Sequence, residues 1–312
     1  MDGARLGRGE DAVDAPLIAV VYVVLQFLAM AAFGTETWLV RGELFTVVAR
    51  TFARFAPLEL YVRRPAGPCP AEAGDDPERI GCPACWLAAD RGDRGIRLRP
   101  YGSGVHREPA LGPGGGAFVV ALLATVVFDG FTQTQRYADL EGFVFQRVGW
   151  FGAHETLYGT LLMLGVVALF ILAFAAVAGI VGRREGGTAM NGARRYAPTL
   201  IPIAGVYFVS HYFLYLVYAG QFTWAAVADP FGREWVPDAE PWTGMPGAVV
   251  WWIQVALIVW GHVIAVFEAH RVAQATQRDH RRAVVVQAPL VILMVAYTFS
   301  GLWVLGQVLS QA

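Results

Sequence analysis

Leu157–Val181 reads LYGTLLMLGVVALFILAFAAVAGIV, a run without a single charge. A helix needs roughly 20 apolar residues to cross a hydrocarbon core ~30 Å thick. This stretch therefore predicts a bilayer-crossing helix, and it decides the fold class. Working outward, five more stretches have the same character: Pro16–Gly34, Gly116–Phe131, Thr199–Gly220, Gly247–Ala269 and Pro289–Leu309. Gly116–Phe131 is the shortest and contains Asp129. The whole chain agrees: 312 residues, 56% hydrophobic, 13% aromatic and 16% charged, with mean hydropathy +0.46. An ordinary soluble domain is about a quarter charged. Apolar residues are too plentiful for disorder. A net charge of −1, from 24 basic and 25 acidic residues, excludes a basic nucleic-acid binder. The expected fold is an all-α integral membrane helical bundle of about six transmembrane helices. Its expected partner is the lipid bilayer.

Arginine placement tests that count independently. All 24 basic residues are arginine. The second, fourth and sixth non-spanning stretches hold 19 of them, and the other four hold 5. Cytoplasmic loops carry the basic excess, so both termini are expected outside and the 35–115 loop in the cytoplasm. Dropping Gly116–Phe131 would break the alternation. The start does not read as a cleavable signal peptide: Asp11 and Asp14 abut the apolar stretch, and no small-residue cleavage site follows.

Between the first two spans lie two different regions. Trp38–Leu60 places Leu44, Val47, Val48, Phe52 and Phe55 at helical spacing among arginines, which predicts an amphipathic helix along the interface. Residues 61–115 are polar and rich in Gly and Pro, with one short strand expected at Gly95–Leu98 and no sizeable core. The expected organisation is thus an outer tail (1–15), a first transmembrane helix (16–34), an interfacial helix (35–60), a Cys-bearing cytoplasmic insert (61–115) and a five-helix membrane core (116–312). The outer loop from Ala225 to Met245, with Trp235 and Trp242, reads as an ordered cap.

Candidate chemistry concentrates in the fourth span. At 100° per residue, Tyr207, His211, Tyr215, Tyr218 and Gln221 fall on one narrow stripe. Lipid offers no hydrogen-bond partner, so that stripe must face protein or a water-filled cavity. Pro198 and Pro202 predict a kink near the inner end. The fifth span carries Gln254 and His262. Counting ~1.5 Å per residue from the inner ends puts His211 and His262 at similar depth. Two imidazoles at one depth on facing helices suit haem b or a divalent metal ion, with Tyr207, Tyr215 and Gln254 as surrounding polar groups. Each histidine also reads as a hydrogen-bonded core residue joining helices. Asp129 reads either as a metal ligand or general base, or as a helix terminus capping Thr132-Gln133. In the insert, Cys82 and Cys85 form a CxxC. With Cys69 and His106 they have the composition of a Cys3His zinc site, whereas no βαβ pattern supports a thioredoxin-type role. No GxxxxGK[ST], HExxH or GxSxG occurs.

Several of these stretches carry a resemblance. Tyr196-Ala-Pro-Thr-Leu-Ile-Pro-Ile-Ala, His211-Tyr-Phe-Leu-Tyr-Leu, Gly220-Gln221, Asp229-Pro-Phe-Gly and Gly261-His262-Val-Ile-Ala-Val-Phe-Glu-Ala-His270-Arg271 resemble a family of bacterial and archaeal polytopic membrane proteins labelled fenitrothion hydrolase. Pro289-Leu, Tyr297-Thr, Gly301-Leu-Trp303, Phe128-Asp129-Gly130 and the Trp38 to Pro57 region also fit its pattern. The resemblance covers most of 38–309 outside the insert. It implies an organophosphate-ester hydrolase, and further spans ahead of the first one here.

Three functions stay open. The first is a hydrolase in which a metal on His211, His262 and Asp129 activates water. The second is a haem-b electron-transfer subunit with His211 and His262 as axial ligands, working with a second membrane subunit. The third is a permease or assembly subunit without catalytic activity.

Overall fold

A computed structural model describes residues 11–63, 79–80, 83–100, 102–104, 111, 114–231, 233, 244–277 and 279–309. The Trp235 and Trp242 cap lies outside them. The chain divides into two compact units at Ala53/Arg54.

The first unit holds α1 (Asp11–Phe33), α2 (Thr35–Arg41) and α3 (Leu44–Ala53). Pro16–Phe33 is apolar enough to span, with a mean hydropathy of 2.3 over 18 residues. Gly34, at φ 84°, ends it in a conformation that suits glycine. The expected single amphipathic helix is two helices. Gly42 separates them and sits against the Trp38 ring, where a Cβ would clash. Glu43 then caps α3, accepting from the backbone N–H of Phe45 (3.0 Å) and Thr46 (2.5 Å). It also accepts from the Tyr22 hydroxyl, while Trp38 Nε1 donates to Gln26 Oε1 at 2.7 Å. The α2–α3 pair therefore folds back along α1. The Thr46 and Tyr22 hydrogen bonds, opposed by burial, hold the Glu43 carboxyl down at about 2.

The second unit opens with a small sheet, which includes the strand expected at Gly95–Leu98 and adds two further strands to an insert expected to hold little other regular structure. Its strands are β1 (Leu58–Val62), β2 (Arg79–Ile80) and β3 (Arg94–Leu98), in the antiparallel order β2-β1-β3. A short helix, α4 (Pro83–Ala88), closes a core of Val62, Cys85, Ala89 and Trp86. Leu-Glu-Leu-Tyr-Val alternates with period two, the strand signal. Pro57 just before it cannot continue a helix.

The helical core follows: α5 (Gly115–Thr132), α6 (Gln135–Arg147), α7 (Gly149–Gly152), α8 (Glu155–Arg184), α9 (Ala189–Tyr196), a 3-10 turn (Ala197–Leu200), α10 (Ile201–His211), α11 (Phe213–Ala228), α12 (Gly247–Thr276) and α13 (His280–Leu309). The protein is mostly α-helical, and among the described residues five helices are long and apolar enough to cross a membrane: α1, α5, α8, α12 and α13. The short span around Asp129 is one of them, with a mean hydropathy of 1.8, and is the most buried. It packs against α8, α10 and α13, while α12 packs against α10 and α13. The expected fourth span is broken. Residues 189–211 and α11 meet at 56°, and the break falls at Tyr212 rather than at Pro198 or Pro202. The prolines instead sit in the 3-10 turn and the first turn of α10, where a missing N–H costs nothing.

Small residues set the helix spacing, as expected where lipid supplies no hydrophobic drive. Gly261 of α12 meets Val206 and the Pro202 carbonyl of α10. Gly130 of α5 admits Val304 of α13, which would lie 2.7 Å from a Cβ there. Gly301 of α13 takes the Tyr207 ring of α10 so closely that no Cβ fits.

Candidate functional site

The break at Tyr212 ends α10 with His211 near the end of α5 that carries Asp129. His211 Nε2 lies 2.8 Å from Asp129 Oδ2. A carboxylate can only accept, so Nε2 donates to it, and a neutral ring in this tautomer would have its lone pair on Nδ1. The Tyr212 hydroxyl donates to the same oxygen at 3.3 Å. Asp129 therefore spends its carboxylate on His211 and Tyr212 rather than on the Thr132-Gln133 loop. Val206–Leu216 contains no Pro or Gly, so nothing local marks the break. Its visible compensation is tertiary, in the two bonds to Asp129.

Beside this pair lies a cavity of about 290 Å³. That is the low end of small-molecule sites, roughly 300–1,000 Å³. Its walls are apolar at Val126, Ile258, Val304 and Leu305, and Asp129 and His211 line it with side chains 48% and 14% exposed. Gly130 keeps space next to the imidazole: a Cβ there would lie 3.6 Å from Nδ1. Gln254 enters from α12. Its Nε2 donates to the Ser210 carbonyl at 2.8 Å, and Ser210 Oγ donates back to the Gln254 carbonyl at 3.4 Å. The donor role fixes the amide orientation and leaves Gln254 Oε1 buried without a partner. The Tyr207 hydroxyl is buried and unpartnered as well. Each orphan costs about 1–3 kcal/mol. Both atoms are sealed in the packing, the Tyr207 hydroxyl against Gly301.

His262 is not part of this site. Gln254 and Ser210 mark one level of the α10–α12 contact, and His262 is eight residues, about 12 Å, further along α12. There its Nδ1 meets Thr298 Oγ1 of α13 at 3.1 Å. Depth counted from the helix ends failed because α12 continues inward to Thr276, while α10 begins only after the 3-10 turn. The expected haem or metal site on His211 and His262 is therefore not formed. Nor does the donor set at the cavity suit a catalytic metal, which takes three protein ligands. Asp129 and His211 are turned on each other, and among the described residues no three His, Cys, Asp or Glu side chains gather.

The remaining expected residues divide. Tyr207 and Gln254 line the cavity. Tyr215 stands at its edge, 69% exposed, because the 56° bend takes α11 off the α10 stripe. Gln221 donates to Val217 of its own helix. In the insert, Cys85 is disulfide-bonded, so it offers no thiolate to zinc while that bond stands. Cys69, Cys82 and His106 lie outside the described residues. Tyr212 and Ser210 were missed by the sequence reading. Their signal is adjacency to His211, which a continuous helix would have turned away from Asp129. In comparisons with known proteins, the chain matches no family model, no curated protein and no solved structure.

Proposed function

We propose that this protein is a membrane-embedded hydrolase of small, largely apolar esters, with the Asp129–His211 pair as its catalytic base. The observation that carries the reading is the 2.8 Å Asp129–His211 contact on the wall of a largely apolar cavity. His211 Nδ1 takes a proton from water while the water oxygen bonds to the phosphoryl or acyl centre. Asp129 fixes the tautomer and offsets the imidazolium charge. The leaving alcohol or phenol departs with the proton from His211. Organophosphate triesters, the substrates implied by the resemblance to the fenitrothion hydrolase family, offer a phosphoryl centre to the attacking water and apolar arms for Ile258 and Val304.

The arginine distribution supports an orientation with both termini outside and 35–115 in the cytoplasm. A disulfide at Cys85 argues the other way if it persists in cells, because cytosolic thiols stay reduced.

The test is turnover by the purified full chain of two chromogenic panels, aryl phosphotriesters and aryl carboxylate esters. Release of phenol from either class, lost in Asp129→Asn, supports the reading. Binding without turnover of both panels overturns it and leaves a ligand-carrying membrane protein.

A further inference from the structure

We propose that the three-stranded insert is itself seated in the lipid surface, with the half of its sheet next to the spans dipping among acyl chains. The register places Leu58 opposite Leu98, Leu60 opposite Ile96 and Val62 opposite Arg94. Alternation puts all of these on one face. Protein covers only the far half of that face. There Val62 is buried under α4 with Cys85 and Ala89, and β2 reaches no further along β1 than Tyr61. On the near half, Leu58 and Ile96 are each 59% exposed and Leu98 is 79% exposed. The opposite face is buried and ionic: Glu59, 2% exposed, accepts from Arg97 at 2.6 Å and from Arg99 at 3.2 Å. The sheet thus buries its charged face and bares its apolar one, the reverse of what water selects.

Depth identifies what covers that face. Just past β3, Gly102 packs against Ile264 of α12, 3.1 Å from a built Cβ, and against Phe55. Ile264 lies seven residues, about 10 Å, inside Arg271, the first charge of its helix after Glu268. The sheet is therefore rooted at a level where α12 is still apolar, and Leu98 is four residues from that root. From Leu98 to Arg94 the strand covers about 13 Å, leading away from that contact along the chain. At that distal end stand Trp86 and Tyr61, with the Arg94 guanidinium 4.7 Å over the Trp86 ring and Arg63 5.9 Å over Tyr61. Apolar residues at the root, then aromatics and arginines, is the profile of the bilayer interface. The occupant is a phospholipid surface, with acyl chains on Leu58, Ile96 and Leu98 and headgroups on Arg94 and Arg63.

The test is fluorescence quenching on the full chain in liposomes. A bimane label is placed by Leu98→Cys or Arg94→Cys, with the parent chain labelled in parallel to subtract native thiols. Lipids carrying a nitroxide high in the acyl chain are expected to remove most of the emission at 98 and much less at 94. Aqueous iodide is expected to give the opposite order. Strong iodide quenching at 98 with no lipid quenching overturns the proposal in favour of a water-facing sheet. Protection of 98 from both quenchers overturns it in favour of a protein partner or a second copy. Should Leu98→Cys fail to fold, Ile96→Cys reads the same face.

Discussion

His211 and His262 sit on facing helices, and each has one polar partner, yet their surroundings differ in kind. His211 closes α10 at a helix break, shares a carboxylate with Tyr212 and borders a cavity. His262 lies mid-helix where Gly261 draws α10 and α12 together, and its ring is taken up by the Thr298 hydroxyl. The difference teaches that an ionisable residue inside an apolar helical bundle is not functional by residue type. What distinguishes the two is empty volume and a charge partner. The broken helix supplies the volume, and Asp129 supplies the charge.

The largest test of that contrast is catalytic. Asp129→Asn and His211→Ala are expected to lower turnover of a hydrolysed ester by roughly 10²–10⁴-fold, the worth of a positioned general base. His262→Ala should leave it within a few-fold. Equal losses at both histidines would break the contrast. Next in size is packing at the cavity wall. Gly301→Ala drives a Cβ into the Tyr207 ring and should cost about 1–3 kcal/mol of stability as overpacking, read by thermal unfolding in detergent and eased by Tyr207→Phe. Gly165→Ala, with open space around it, is the matched control, and a similar loss there would show that helix-wide effects dominate. Smaller still is Thr298→Val, which removes the hydroxyl partner of His262. Hydrogen bonds between membrane helices average about 0.6 kcal/mol, so a slight drop in melting temperature with intact turnover is expected. The smallest effect lies away from both histidines and gives the scale for acid sensitivity. Glu43, held down at about 2, keeps its cap on α3 while ionised. That contribution is present above the ordinary carboxylate range and disappears as pH falls toward 2. Protection factors at Phe45 and Thr46, corrected for the intrinsic pH dependence of amide exchange, should fall over that window in the parent and stay flat in Glu43→Gln; no change in the parent would remove the cap assignment.

The spans were legible because length and apolarity alone decide them, and even α5, interrupted by Asp129, was kept on arginine alternation. Asp129 and His211 were each visible as costly groups in lipid. Their pairing was not, because the chain bends at Tyr212 without Pro or Gly, and a straight helix would have carried His211 elsewhere. His262 was misplaced by counting from helix ends whose inner extents differ. The sheet was present as period-two alternation in Leu58–Val62. The strand at Gly95–Leu98 was legible, whereas Leu58–Val62 was hidden because the amphipathic pattern from Leu44 onward was extended across Pro57.

The fit of Tyr207 into Gly301 carries a consequence for how such a cavity diversifies. Any side chain added at 301 presses on the phenol, so the pocket is costly to retune from that turn of α13. Variation in ligand preference is channelled one turn onward, to Leu305 on the cavity wall. A laboratory library meant to change selectivity should spend its diversity there.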